Sequence, residues 1–397
     1  MDSLYSYFTP LNIIPRWCMG SICGIAFITY YVYEVAKKPM MACKKGKFRQ
    51  FLETEVPVTH ETFWPTLWCF ESRAQTLMAS FLRRLIPNIN YRREILQLKD
   101  GGEVGLDWLD GGSETSPIII ILPGITGASQ ADYIKGLVLT AEKVGIRTVV
   151  FNNRGIGGIT LKTPRTYCAA NTEDLAEVVL HVHKLYPNAS LAATGISMGG
   201  LILGNYLAEQ EENARQYLHC AMLISVPWDV FKGSQSIEKP WLNLKLNKHL
   251  ASGLCRMLAN VRDIMEPGPW DIENVLRSQT VREFDASFTT KQFGYKDVDD
   301  YYRHATLHEK IDKIKIPVLC LSAADDPFQP LDGIPINSAN ESTTVAIIIT
   351  ARGGHIGFME GVLPFRINHQ YMFKLFGQFY GSVFHHSIED LIEDKAS

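Results

Sequence analysis

The stretch "LAATGISMGGLILGNYLAEQ", residues 191–210, passes from a short apolar run through closely spaced glycines into a second, longer apolar run. Within it, Gly195-Ile196-Ser197-Met198-Gly199 matches G-x-S-x-G, the pattern in which a serine sits on a sharp turn between a strand and a helix. Glycines suit that turn because a serine in strained backbone geometry leaves no room for side chains on its flanks. Ser197 would then cap a helix, with the Met198 N–H aimed at a developing oxyanion. Five residues alone match by chance often, so the strand before and the helix after carry the reading. Gly195 to Gly200 also has the spacing of a phosphate loop, but Leu201 and Ile202 stand where that loop needs Lys and Ser or Thr. Gly155-Ile156-Gly157-Gly158 fails G-x-G-x-x-G and is read as a loop, so no nucleotide site is expected.

Outward from this turn the chain alternates. "PIIIIL" (117–122), "RTVVFN" (147–152), "LAATG" (191–195), "CAMLISV" (220–226), "IPVLCLS" (316–322) and "TVAIII" (344–349) are apolar without alternation, as strands buried on both faces of a parallel sheet are. A helix is predicted over 172–185, where Leu175, Val178, Val179, Val182 and Leu185 share one face behind an Asn171 or Thr172 cap. His181 and His183 on it read as surface or boundary residues. "EILQL" (94–98) and "EVGLDWL" (103–109), joined through Asp100-Gly101, read as an antiparallel hairpin leading into the sheet. The interval between the strands at 220 and 316 is far too long for an ordinary crossover and reads as a cap over about 228–312. The expected fold is α/β, with a mostly parallel central sheet and a helical cap insertion.

A nucleophilic serine needs a base, an acid to orient that base, and a second oxyanion donor. The run ending in "SAADDPFQP" offers Asp325 and Asp326 at the carboxyl edge of the sheet, and "GGHIGF" places His355 at the same edge. The order Ser197, Asp326, His355 is the order of the α/β-hydrolases. Both aspartates remain open as the acid. "LPGITGAS" puts Gly124 and Ile125 after the first parallel strand, and the Ile125 N–H is the expected second donor, although Gly124 fits a plain turn equally well. His385 and Asp390 have an H-x-x-x-x-D spacing that chance explains in a polar tail. The eight cysteines form no CxxC pair and no His/Cys cluster, and this chemistry requires neither metal nor cofactor.

"LPGITG", "FNNRG", "TPRTYCAANTEDL", "GISMGG", "DDYYRHAT", "IPVLCLSAADDPFQP" and "GGHIGF" together resemble the α/β-hydrolase domain-containing proteins of the group 1 and group 3 type, and more distantly the bacterial YheT-like esterases. The similarity runs from about residue 45 to 380. It implies an α/β-hydrolase fold with Ser197, Asp326 and His355 as the triad, the acid being chosen by the Asp-Pro-x-x-Pro spacing. It also implies a membrane phospholipase A1 acting on phosphatidylcholines with medium-length or oxidatively truncated chains. Hydrolysis of acylglycerols or small carboxyl esters would use the same machinery. An acyltransferase, or a scaffold that keeps the fold without the activity, is less expected.

The amino-terminal segment differs in kind. "WCMGSICGIAFITYYVY" (17–33) carries no charge and ends in aromatics, with Lys37, Lys38, Lys44, Lys45 and Lys47 after it. It reads as a short membrane-spanning helix with an aromatic belt, a buried amphipathic anchor or a cleaved signal peptide being the alternatives. The last is weakened because the basic residues follow the apolar run and no A-x-A site is evident. Cys18 and Cys23 are read as ordinary residues of that helix. The lysine flank predicts a cytosolic catalytic domain, whereas Asn188-Ala189-Ser190 and Asn340-Glu341-Ser342 would become glycan acceptors in a lumen. The expected division is a tail at 1–16, an anchor at 17–35, an extension wrapping the core at 36–90, the hydrolase domain at 91–380 and a polar tail at 381–397. A net charge of −3 offers no field for nucleic acid. The expected partners are an ester lipid and the bilayer, with no obligate protein partner evident.

Overall fold

A computed structural model describes residues 15–266, 268–362, 364 and 370–392. Most of the tail predicted over 1–16, and the last five residues of the one over 381–397, lie outside these.

Nine strands form one sheet in the order β1-β9-β8-β7-β6-β4-β5-β3-β2. The six runs read as parallel strands are β4 (Ile118–Leu122), β5 (Arg147–Asn152), β6 (Leu191–Ile196), β7 (Cys220–Ile224), β8 (Val318–Ala323) and β9 (Val345–Thr350), and they pair in parallel. β2 (Arg92–Gln97) and β3 (Glu103–Leu109) are the antiparallel hairpin, with β3 antiparallel to β5. Their lack of alternation has a direct cause. Ile118, Ile120 and Leu122 enter one apolar core while Ile119 and Ile121 enter another on the opposite face. Each such side chain contributes roughly 1.5–3 kcal/mol by leaving water, so neither face tolerates a polar residue.

Helices α5 (Glu173–Leu185) and α6 (Met198–Gln210) cover the first face, and α4 (Asp132–Lys143) with α15 (Tyr371–Val383) the second. Thr172 stands at the amino end of α5, but its hydroxyl donates to Glu209 Oε2 at 2.5 Å instead of capping the helix. Between β7 and β8 the described residues form seven helices. These are α7 (Val230–Ile237), α8 (Leu242–Asn260), α9 (Arg262–Met265), α10 (Ile272–Val275), α11 (Val281–Phe284), α12 (Thr290–Phe293) and α13 (Val298–Ala305). They carry an apolar cluster of their own around Leu258, Val275, Phe284 and Phe288.

The residues before the hairpin do more than wrap the core. Met40–Ala42 form β1, antiparallel to β9, so the sheet ends in a strand from the amino-terminal extension. Three residues are too few to show a period of two. Farther along, α2 (Lys47–Glu55) packs on α16 (Ile388–Ile392), and α3 (Ser72–Arg83) packs on α4. At the other end Val383, Leu391 and Ile392 are buried, so the described part of the polar tail is seated on the body. The amino-terminal helix α1 (Arg16–Tyr30) continues as a π-helical turn to Val35. Trp17–Val35 has a mean hydropathy of 1.3 with only 11% of it buried. At 1.5 Å per residue this stretch is about 28 Å long, enough to cross a bilayer core.

Candidate active site

Ser197 sits between β6 and α6 at φ 53°, ψ −119°, outside the regions that L-residues favour. The glycines around it are required by contact. A Cβ on Gly199 would stand 2.3 Å from the Leu122 carbonyl oxygen, and one on Gly195 would stand 2.5 Å from that of Gly199. The turn delivers Ser197 Oγ to within 2.9 Å of His355 Nε2. On the other side of the ring, Nδ1 lies 2.9 Å from Asp326 Oδ2 and 3.2 Å from Oδ1. Asp326 Oδ1 is fixed in turn by the Phe328 N–H at 2.7 Å, and the Phe328 ring lies 4.3 Å, centre to centre, from the imidazole. The arrangement can pass a proton from the hydroxyl to an imidazole whose tautomer a carboxylate holds.

Asp325 points elsewhere. Its Oδ1 accepts the Gly354 N–H at 3.0 Å, and burial raises its pKa to about 7 against the pull of that N–H and of Arg352. Of the two candidate acids, the geometry therefore brings Asp326 to the imidazole and leaves Asp325 holding the loop before it.

The loop between β4 and α4 is tied down by two tyrosines that nothing in the sequence had marked. Gly124 N–H donates to the Tyr133 hydroxyl at 2.9 Å and Thr126 N–H to the Tyr167 hydroxyl at 3.0 Å. Burial pushes the Tyr167 phenol up to about 12, so it stays a neutral hydroxyl at any physiological pH. Ile125 lies between these two anchored amides and, with Met198, borders the cavity beside Ser197. The histidine loop is held as tightly by α3. His355 N–H donates to Thr76 Oγ1 at 2.9 Å, and Met359 N–H to Gln75 Oε1 at 2.8 Å. Arg83 donates to the carbonyls of Ile356 and Gly357 and to Gln370 Oε1. A Cβ on Gly354 would lie 2.2 Å from the Ser72 carbonyl, so glycine permits the close approach.

Residues 117–362 match the family model described as alpha/beta hydrolase fold. The chain belongs to the α/β-hydrolase family. Over 92% of its length this hydrolase is 42% identical to "Phospholipase ABHD3" of Mus musculus, of which 89% is covered. It is 27% identical to the "Monoacylglycerol lipase" of Saccharomyces cerevisiae, over 78% of this chain and 80% of that protein. Among solved structures it is similar to the Pyrococcus furiosus esterase Pf2001, with a TM-score of 0.49 and 16% identity, covering 76% of this chain and 93% of that one.

The hydrolase opens its cavity at the serine. Ser197, Met198 and Ile125 share it with Phe328, with Leu254 and Met257 of α8, and with Phe284 from the cap, enclosing about 130 Å³. One ionisable group breaks the apolar lining. Asp285, in the π-helical turn Asp285–Thr289, accepts hydrogen bonds from Thr289 Oγ1 at 2.7 Å and from the Tyr302 hydroxyl at 3.4 Å. Burial raises its pKa to about 7. Arg282, which draws it down, lies 2.6 Å from Asp299 instead. "EFDASF" gave no sign of this, because a cap aspartate among polar neighbours reads as surface until the cap closes over it.

Proposed function

We propose that this hydrolase is a membrane-anchored serine esterase of lipids, most specifically a phospholipase A1 that releases fatty acid from phosphatidylcholine with medium-length or oxidatively truncated chains. One observation carries the reading: Ser197, within hydrogen-bond reach of a buried imidazole, opens onto a cavity walled by aliphatic and aromatic side chains. An acyl chain fits such a lining and a polar substrate does not. The likeness to a protein named as a phospholipase and to one named as a monoacylglycerol lipase supports a lipid ester.

In the proposed reaction His355 Nε2 takes the Ser197 proton as Oγ attacks the ester carbonyl. The Met198 and Ile125 N–H groups hold the resulting oxyanion, each such donor being worth roughly 3–4 kcal/mol in the transition state. Asp326 stabilises the imidazolium. Collapse breaks the bond to the glycerol oxygen, which takes the proton from His355 and leaves as the lysophospholipid. Water, deprotonated by the same imidazole, then frees the fatty acid and restores Ser197.

The anchor is α1, with the catalytic domain on the cytosolic side of the lysine flank; a mobility shift on endoglycosidase treatment would overturn that side. The substrate is tested with detergent-solubilised wild type and Ser197→Ala on phosphatidylcholines of graded chain length, beside monoacylglycerol and a short aryl ester. Serine-dependent release from phosphatidylcholine supports the phospholipase reading. Activity confined to monoacylglycerol would make the enzyme an acylglycerol lipase with the same machinery.

A further inference from the structure

Helix α3 has its polarity reversed. A surface helix in water turns its apolar face to the core, yet the buried side of α3 is Ser72, Gln75, Ala79 and Arg83, with Gln75 fully buried and Arg83 2% exposed. Its outward side carries Leu77 and Phe81, 54% and 61% exposed, and Leu85 continues that row one turn on at 74%. The inward polar residues are accounted for, because they hold the histidine loop. The outward apolar row has no partner in the fold.

The row is continuous with the segment that leaves the bilayer. Phe70, just before α3, packs on Phe27, Tyr30 and Tyr31 at the end of α1, with ring centres about 6 Å apart. Trp64, exposed, packs on Tyr31, and Tyr31 donates to the Pro65 carbonyl at 2.5 Å. On its other side α3 reaches the cap, where Arg73 Nε donates to Asn243 Oδ1 at 2.8 Å, next to the exposed Trp241 and Leu242. Exposed aromatics beside basic residues are what a lipid headgroup region accommodates, and Arg84 with the lysines after α1 supplies the cations.

We propose that the outward face of α3, with Trp64 and Trp68 on one flank and Trp241 and Leu242 on the other, lies in the surface of the bilayer. The occupant of this apolar face is lipid, and the helix that orients His355 rests directly on the substrate phase. The proposal depends on α1 being a membrane anchor.

The test places p-benzoylphenylalanine at position 81, and separately at Lys184 on α5 across the sheet, in the full-length protein reconstituted in vesicles of phosphatidylcholine and phosphatidylserine. Irradiation is expected to give a lipid adduct at 81 and none at 184. Adducts at both positions, or none at 81 in protein that resists carbonate extraction, overturn the docking face while leaving the anchor. Release of the protein by carbonate overturns the anchor, and the docking face with it. The cross-link reads the face whichever ester is the substrate. As a second reading, Leu77→Ser with Phe81→Ser is expected to lower turnover of vesicle lipid roughly tenfold or more, the equivalent of withdrawing one large apolar side chain from lipid, with turnover of a soluble aryl ester unchanged. Equal losses on both substrates would mean that the residues only support the fold.

Discussion

At the scale of single residues the site depends on contacts that tolerate no added atom and on one choice between adjacent acids. Ser197 keeps a backbone conformation that costs on the order of 1–3 kcal/mol, which the neighbouring glycines make possible. If Ser197 is the nucleophile, Ser197→Ala is expected to lower kcat by roughly 10⁶-fold, as loss of a triad serine does, with an unchanged thermal transition. The two aspartates separate by function. Asp326→Asn presents an amide to His355 Nδ1, disfavours the productive tautomer, and should lower kcat by about 10⁴-fold. Asp325→Asn keeps an acceptor for the Gly354 N–H and should stay within about tenfold of wild type, since only a neutral hydrogen bond changes. Steady-state rates on one aryl ester compare all three. Equal losses at 325 and 326 would remove Asp326 from the assigned role.

At the scale of elements, α3 is the part of the site that belongs to the amino-terminal extension, outside the segment matched by the family model. It meets the histidine loop through Thr76, Gln75 and Arg83, so its register sets where the imidazole stands. Thr76→Val removes the acceptor for His355 N–H. A displacement of about 1 Å at a reacting group can cost 10²-fold, so kcat should fall between tenfold and a hundredfold with KM little changed, and Thr76→Ser should restore it. A fall in the thermal transition at unchanged kcat would instead make Thr76 a packing residue. Arg83→Met leaves two loop carbonyls without their donor at a cost of roughly 1–3 kcal/mol each. Its midpoint in denaturant should therefore drop well before the active-site geometry is at issue.

At the scale of the whole molecule, two buried carboxyls make stability depend on pH. Burial raises Asp285, in the cap, and Asp325, at the sheet edge, from 3.8 to about 7. In the folded state each holds its proton to a higher pH than in the unfolded chain. Between pH 4 and 7 the folded form therefore binds more protons, and stability falls as pH rises through that window. Thermal unfolding is expected several degrees higher at pH 5.5 than at pH 8 in the contribution of these groups. Asp285→Asn, which has no charge to bury, should reduce that difference; an unchanged difference would mean that Asp285 reaches water as a carboxylate.

The sequence by itself determined the parallel sheet, the hairpin, the helix over 173–185 and the order in which a serine, an acid and a histidine reach one sheet edge. These are local properties. A strand buried on both faces has to be apolar at every position, and a strained turn has to be flanked by glycine, so both are written in consecutive residues. Only the tertiary structure decided which of Asp325 and Asp326 meets the imidazole, because one step along a loop turns a side chain from the site to the backbone behind it. It alone brought Thr76 to His355 across 279 residues, closed the cap over Asp285, added β1 to the sheet and turned the apolar side of α3 outward. Each of these rests on a contact between segments distant in the chain, and no periodicity in either segment records its partner.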